Sequence, residues 1–181
     1  SLHDALPIWG ALLALALYLA IALMDYYPSD PSLTVASGAG VKNIAGAVGA
    51  YIASPILQFL GLAGGILPIL AFAVWGWKLL LKTPTTLLWM RLSTLLFGLI
   101  PASALLHVIH PESSLMFAQG WGGYIGVFTA SRMVALMGTA TFVCGALAVL
   151  VGALYIALGL TLAEWQQVGL KLAETYYRIN E

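Results

Sequence analysis

His107 and His110 form an H-x-x-H pair in LLHVIHPES. Three residues apart on a helix, two imidazoles share one face, which is how one turn gives a metal two ligands. A tetrahedral site needs more, and only Glu112 stands near. The pair lies where an apolar run ends, a place histidines occupy without metal, so no metal site is expected. Residues 120–126, GWGGYIG, are glycine-rich. They match neither G-x-x-x-x-G-K-[ST] nor G-x-G-x-x-G, so a close-packed interfacial turn is expected rather than a phosphate cradle. Ser54, Ser93, Ser103 and Ser131 offer hydroxyls, but no G-x-S-x-G elbow accompanies them. Arg91 stands about one turn inside an apolar run, where a charge invites functional suspicion. Basic neighbours at Lys78 and Lys82 favour a side chain that snorkels to the same boundary. With no nucleophile–base pair, the chain is read as non-enzymatic, with no catalytic, cofactor-binding or metal-binding residue.

Composition says what must position these residues. Hydrophobic residues make up 61% of 181, and charged residues 8%, against about 25% in an ordinary soluble domain. So few charges cannot cover a soluble surface. The chain is an integral membrane protein, all-α, because lipid leaves no backbone group unsatisfied. The formal charge of zero gives no reason to expect nucleic-acid binding. Cys144, the single cysteine, lies in an apolar run and reads as a small buried side chain. Residues 1–7 are set apart as an N-terminal extension. No basic stretch precedes the first apolar run, so a cleaved signal peptide is not expected.

Residues 8–24 carry no charge. At 1.5 Å per residue they reach about 26 Å, close to a ~30 Å hydrocarbon core. Trp9 and Tyr26–Tyr27 suit the two interfacial belts. Next comes DYYPSDPSLTVASGAG, whose Pro28 and Pro31 stop any helix. Such backbone belongs in water or among headgroups. The second apolar block, 43–82, would measure about 60 Å as one rod, twice the core. Gly61, Gly64, Gly65 and Pro68 mark the break. An interfacial or re-entrant helix over about 43–60, with Asn43 as its N-cap, therefore precedes a span over about 66–82. Gly46 and Gly49, with Ala45 and Ala50, give that helix a small-residue packing face. A third span covers about 86–109, residues 110–132 are a break, and a fourth covers about 138–162, starting at Gly138. In the tail, 163–181, Trp165, Val168, Leu172 and Tyr176 take one helical face. Glu164, Gln167, Lys171, Glu174 and Arg178 take the other, as in an amphipathic helix lying on the membrane.

Sidedness follows from cations. With four spans and the N-terminus inside, Lys78, Lys82, Arg91, Lys171 and Arg178 lie inside, and Lys42 and Arg132 outside: five against two. Both termini are expected in the cytoplasm and the DYYPSDPS loop outside. A spanning 43–60 would move three cations outward and is rejected.

The order of these pieces resembles the N-terminal four-span membrane domain of FtsK/SpoIIIE-type bacterial DNA translocases. The likeness runs over about 8–175: the loop Pro28, Ser29, Asp30, Pro31, Ser32; Asn43, Gly46, Gly49 and Tyr51; a second span ending in W-G-W-K; then GGYIG with Gly122, Gly123 and Gly126; and an A-E-W amphipathic helix. The resemblance implies an inner-membrane anchor at the division septum that helps assemble the division machinery and oligomerises as a hexamer. It implies further that a linker and an ATP- and magnesium-dependent motor act on double-stranded DNA in chromosome segregation, and that neither lies in these residues. The glycines, Asn43 and Tyr51 would then make helix-packing or oligomer contacts, and the partners would be lipid, further copies and other division proteins. The alternative is a small transporter or channel subunit, which needs polar groups converging at mid-membrane.

Overall fold

The computed structural model describes residues 2–33, 35–36, 38, 40–81, 88–114 and 117–179. Every regular element among them is helical. In order these are α1 (Leu2–Met24), α2 (Gly46–Pro55), a π-helical turn (Ile56–Leu60), α3 (Gly61–Leu80), α4 (Leu88–Ile109), α5 (Gly123–Met137), α6 (Thr139–Leu158) and α7 (Leu162–Ile179). Gly46–Leu80, Leu88–Ile109 and Thr139–Leu158 are long and apolar enough to cross a membrane. The apolar stretch Ile8–Met24 is shorter but lies within the 23-residue α1.

The long helices alternate in direction. Gly65, early in α3, packs on Leu23 at the end of α1, while Gly76, late in α3, packs on Leu13. Likewise Gly98 of α4 meets Ala153 of α6, and Arg91 at the start of α4 meets Gly159 just past the end of α6. One end of the bundle, the loop end, therefore gathers residues 25–33 and 40–45, α2, the π turn and the start of α5. The other, the tail end, gathers Lys78, Arg91, Gly159 and the start of α7.

The core is built from small side chains. Ala71, Trp75, Leu95, Ala157 and Leu158 form one cluster, where α3, α4 and α6 meet. Ala104, Leu105, Ala130, Phe142 and Ala146 join α4, α5 and α6. Alanine and glycine let helices approach closely, the usual device where lipid removes any hydrophobic gain between helices. Large apolar groups point outward instead, as at Leu17, Trp89, Ile109, Leu136 and Val151. An apolar exterior over a small-residue interior suits lipid contact.

Several elements differ from the sequence reading. The break in 43–82 falls at Gly61 (φ +62°), so α3 begins five residues earlier than 66, and Gly64 and Gly65 lie buried inside it. α2 begins at Gly46, capped by Ala45 rather than Asn43. Pro55 ends it: lacking an N–H, proline cannot continue the i→i−4 ladder, and a π turn follows. Residues 123–137, expected as break and then apolar block, form α5. Its Gly123, Gly126 and Ala130 are buried at helical spacing, so tertiary packing overrides glycine's poor helix propensity. The fourth apolar helix stops at Leu158, not 162, because Gly159 takes the left-handed conformation (φ 59°) that ends helices. Cys144 is exposed, not buried: α6 turns Phe142, Ala146 and Ala153 inward, and residue 144 falls off that face. α3 ends at Leu80 and α4 starts at Leu88. Lys82 and the span ends at 82 and 86 lie outside the described residues.

Candidate functional site

At the loop end a polar clasp ties residues 42–45 to the end of α1. Asp30 is only 3% exposed. Its carboxylate accepts the backbone N–H of Lys42 (3.1 and 3.2 Å) and of Asn43 (2.9 Å). Asp25 Oδ2 accepts the N–H of Ile44 at 2.7 Å. Asn43 works in both directions. Its Nδ2 donates to the Ala22 and Asp25 carbonyls, 2.8 Å each, and its Oδ1 accepts the Ala45 N–H at 2.9 Å. The last carbonyls of a helix have no intrahelical donor, so Asn43 satisfies orphans of α1. Ionised acceptors make the Asp25 and Asp30 bonds stronger than neutral ones. Pro28 and Ser29 form the exposed corner, where the Asp30 N–H donates to the Tyr27 carbonyl at 3.1 Å. Pro31 is half-buried, and Ser32 Oγ donates to Ser54 Oγ at 3.0 Å.

Beside it lies a glycine junction. The Leu62 N–H donates to the Trp121 carbonyl at 3.0 Å, and Ser103 Oγ, fully buried, donates to the Leu60 carbonyl at 2.8 Å. The backbones at Gly61 and Gly123, each with φ +62°, touch: a Cβ on Gly123 would stand 2.6 Å from Gly61 N and 2.7 Å from Phe59 O. Gly122 lies against His107, where a Cβ would stand 2.6 Å from His107 Cβ, and Gly126 against Ser103. His110 stacks on Trp121 at 4.4 Å with planes 10° apart. Among the described residues, no three metal-ligating side chains come together around the histidines or elsewhere.

At the tail end α3 grips the start of α7. Lys78 Nζ donates to the Gly159 carbonyl (2.7 Å) and to Glu164 Oε2 (3.0 Å). The same oxygen accepts the Thr161 N–H at 2.6 Å, and Thr161 Oγ1 accepts the Glu164 N–H at 3.3 Å. This reciprocal pair is a capping box. Trp75 Nε1 donates to the Ala157 carbonyl at 2.8 Å. The Thr161 N–H first, then Lys78, holds the Glu164 carboxyl below the usual carboxylate range. A depressed carboxyl stabilises the folded state above its ordinary pKa, and that stability is lost as pH falls through the lowered value. We expect the protection of amides in the first turn of α7, measured relative to their intrinsic exchange rates at each pH, to fall on acidification from about pH 6 to pH 3, and Glu164→Gln to flatten that dependence. Thr161→Ala should cost about 1 kcal/mol of α7 stability in the same exchange measurement.

A family model described as the 4TM region of DNA translocase FtsK/SpoIIIE matches residues 5–172. The chain belongs to this family. Similar proteins include the DNA translocase FtsK of Pseudomonas putida, 37% identical over 61% of this chain and 14% of the relative. That of Pseudomonas syringae pv. syringae is 34% identical over 68% of the chain and 18% of the relative. That of Azospirillum brasilense is 29% identical over 86% and 25%. The chain thus spans at most a quarter of the length of these curated relatives. No solved structure matches it significantly.

In this FtsK/SpoIIIE membrane region the residues singled out by sequence fall into three groups. Asp30, Ser32 and Asn43 join the clasp, and Gly49 packs beside them against Ala22. Gly122, Gly123 and Gly126 pack inside the protomer at the junction. Gly46 and Tyr51 do neither. A Cβ on Gly46 would meet nothing within 4 Å, so its φ of +72° is what calls for glycine, and Tyr51 is exposed. On α7, Trp165 packs against the core while Tyr176 is exposed; the side chains of Val168, Leu172 and Lys171 lie outside the described residues. Sequence reading missed Asp25 and Ser103 as anchors and the grip of Lys78 on Glu164. For the last, the T-x-x-E spacing of Thr161 and Glu164 was a legible signal. Nothing local marks Ser103, whose partner is 43 residues away.

Proposed function

We propose that this chain is the membrane anchor and septal assembly domain of a DNA translocase acting in cell division and chromosome segregation, itself non-catalytic. The observation that carries this reading is the family match over residues 5–172. In the same reading α1, α3, α4 and α6 are the four spans, α2 and α5 lie at the outer face, and both termini are cytoplasmic. Supporting it, the four helices alternate in direction, and Lys78 and Arg91 share the tail end. The setting is the bacterial inner membrane at the division septum. The partners are lipid, further copies forming a hexamer, and other division proteins. DNA, ATP and magnesium belong to the length that the curated relatives have in addition.

Among the described residues, nothing favours the transporter or channel alternative. The charged side chains of α3 and α4, Lys78 and Arg91, sit at one end of the bundle, and Lys78 is engaged by Gly159 and Glu164.

A fluorescent protein fused to the chain and expressed in dividing bacteria should form a mid-cell band. Cross-linked membranes should give a ladder ending at six copies. An even peripheral ring in dividing cells would overturn the septal role.

A further inference from the structure

Among the described residues, the tail end contains side-chain donors without acceptors. Arg91 is half-buried, and its side chain makes no hydrogen bond or ion pair among the described residues; its Nη1 is buried and unpartnered. Trp165 Nε1 is likewise buried and unpartnered. Native proteins rarely leave such groups unpaired. Both donors belong to one corner. Leu92, next to Arg91, and Trp165 pack on the same cluster of Trp75, Leu95 and Leu158. The Arg91 guanidinium itself lies against Gly159.

Several acceptors of this corner are engaged among the described residues. The Gly159 carbonyl receives Lys78, the Ala157 carbonyl receives Trp75, and Glu164 Oε2 receives both Lys78 and Thr161. Among the described residues no carboxylate pairs with the Arg91 guanidinium. Trp77 and Trp89 point outward at this end, as tryptophans do at headgroup level.

From these observations we propose that the tail end binds the phosphate group of an anionic phospholipid, with Arg91 as the anchor and Trp165 Nε1 as a second donor. A phosphodiester supplies an opposite charge and several acceptor oxygens, and the planar guanidinium fork matches its geometry. Lipid is the source because the tryptophans set the site at the depth where headgroup phosphates are concentrated. The proposal rests on the membrane reading but not on which face is cytoplasmic.

The test uses the chain in mixed phosphatidylglycerol–phosphatidylcholine membranes, extracted gently and weighed intact with its retained lipids. Wild type should retain one phosphatidylglycerol in preference to phosphatidylcholine by about fivefold or more, the effect of one basic residue near an anionic surface. Arg91→Gln should abolish the preference. Trp165→Phe, which keeps the packing and removes the donor, should weaken it. Arg91→Lys should restore part of it. Equal retention of both lipids by wild type, or an unchanged preference in folded Arg91→Gln, would overturn the site. So would displacement of the lipid by inorganic phosphate alone, which would assign the corner to a free anion. A chain that does not co-float with vesicles would overturn the membrane reading itself, and the site with it.

Discussion

Gly61→Ala should be among the most damaging single-methyl additions to this protein, costing about 3 kcal/mol or more. Two independent penalties add. At φ +62° and ψ −152° the backbone occupies a region that glycine alone enters freely. The new Cβ would also overlap the Trp121 carbonyl and stand 2.7 Å from Gly122 C. That carbonyl already receives the Leu62 N–H, so neither side can move without breaking the corner where α3 leaves the π turn. Gly123→Ala should behave alike, for the mirror-image reason. Gly145 and Gly152 are the controls, since both lie inside α6 and a Cβ there meets nothing within 4 Å. Alanine at either should be neutral or stabilising by up to about 1 kcal/mol. Thermal unfolding in detergent separates the pairs. Equal effects at 61 and 145 would mean that the junction is not a tight corner.

The second large effect is expected at Asp30. Asp30→Ala removes the acceptor for two backbone N–H groups, at least one of them buried, and each orphaned donor costs about 1–3 kcal/mol. Asp30→Asn keeps one acceptor oxygen and should cost roughly half as much. Asn43→Asp should match the alanine change at 30, because a carboxylate cannot donate to the Ala22 and Asp25 carbonyls and would face them at 2.8 Å. The two sites share one network, so the double variant should lose less than the sum of the singles. Proteolysis of the 33–41 segment in detergent micelles, alongside melting temperature, reads the loss. Wild-type behaviour of Asp30→Ala would show that the clasp holds nothing.

The helices were legible where composition alone decides. The uncharged run 8–24, and the run 88–109 with Arg91 near its start, have one solution in lipid, and both are helical in the structure. Legibility failed where the deciding contact is distant in sequence. Gly61, Gly64 and Gly65 look alike as a triplet, yet only Gly61 faces a backbone 60 residues away, and only it breaks the helix. α5 was hidden for the same reason: its glycines read as a turn until α4 supplies the surface they pack against. Asp30 was visible as a motif residue, but its role depends on the N–H groups of Lys42 and Asn43 folding back beneath it. Asn43 looked like the cap of the helix that follows. It caps the end of the helix before, a choice that local spacing cannot make.

Whether four helices thread the bilayer, with the tail on the inner face, can be read from two single-cysteine variants in a Cys144→Ala background. Ser29 and Glu174 are both exposed, one at the loop corner and one on α7. In cells with a permeabilised outer barrier but an intact inner membrane, an impermeant maleimide should label Ser29→Cys at once, and Glu174→Cys only after the inner membrane is opened. Labelling of both from outside, or of position 174 alone, would contradict an even number of crossings with the tail inside.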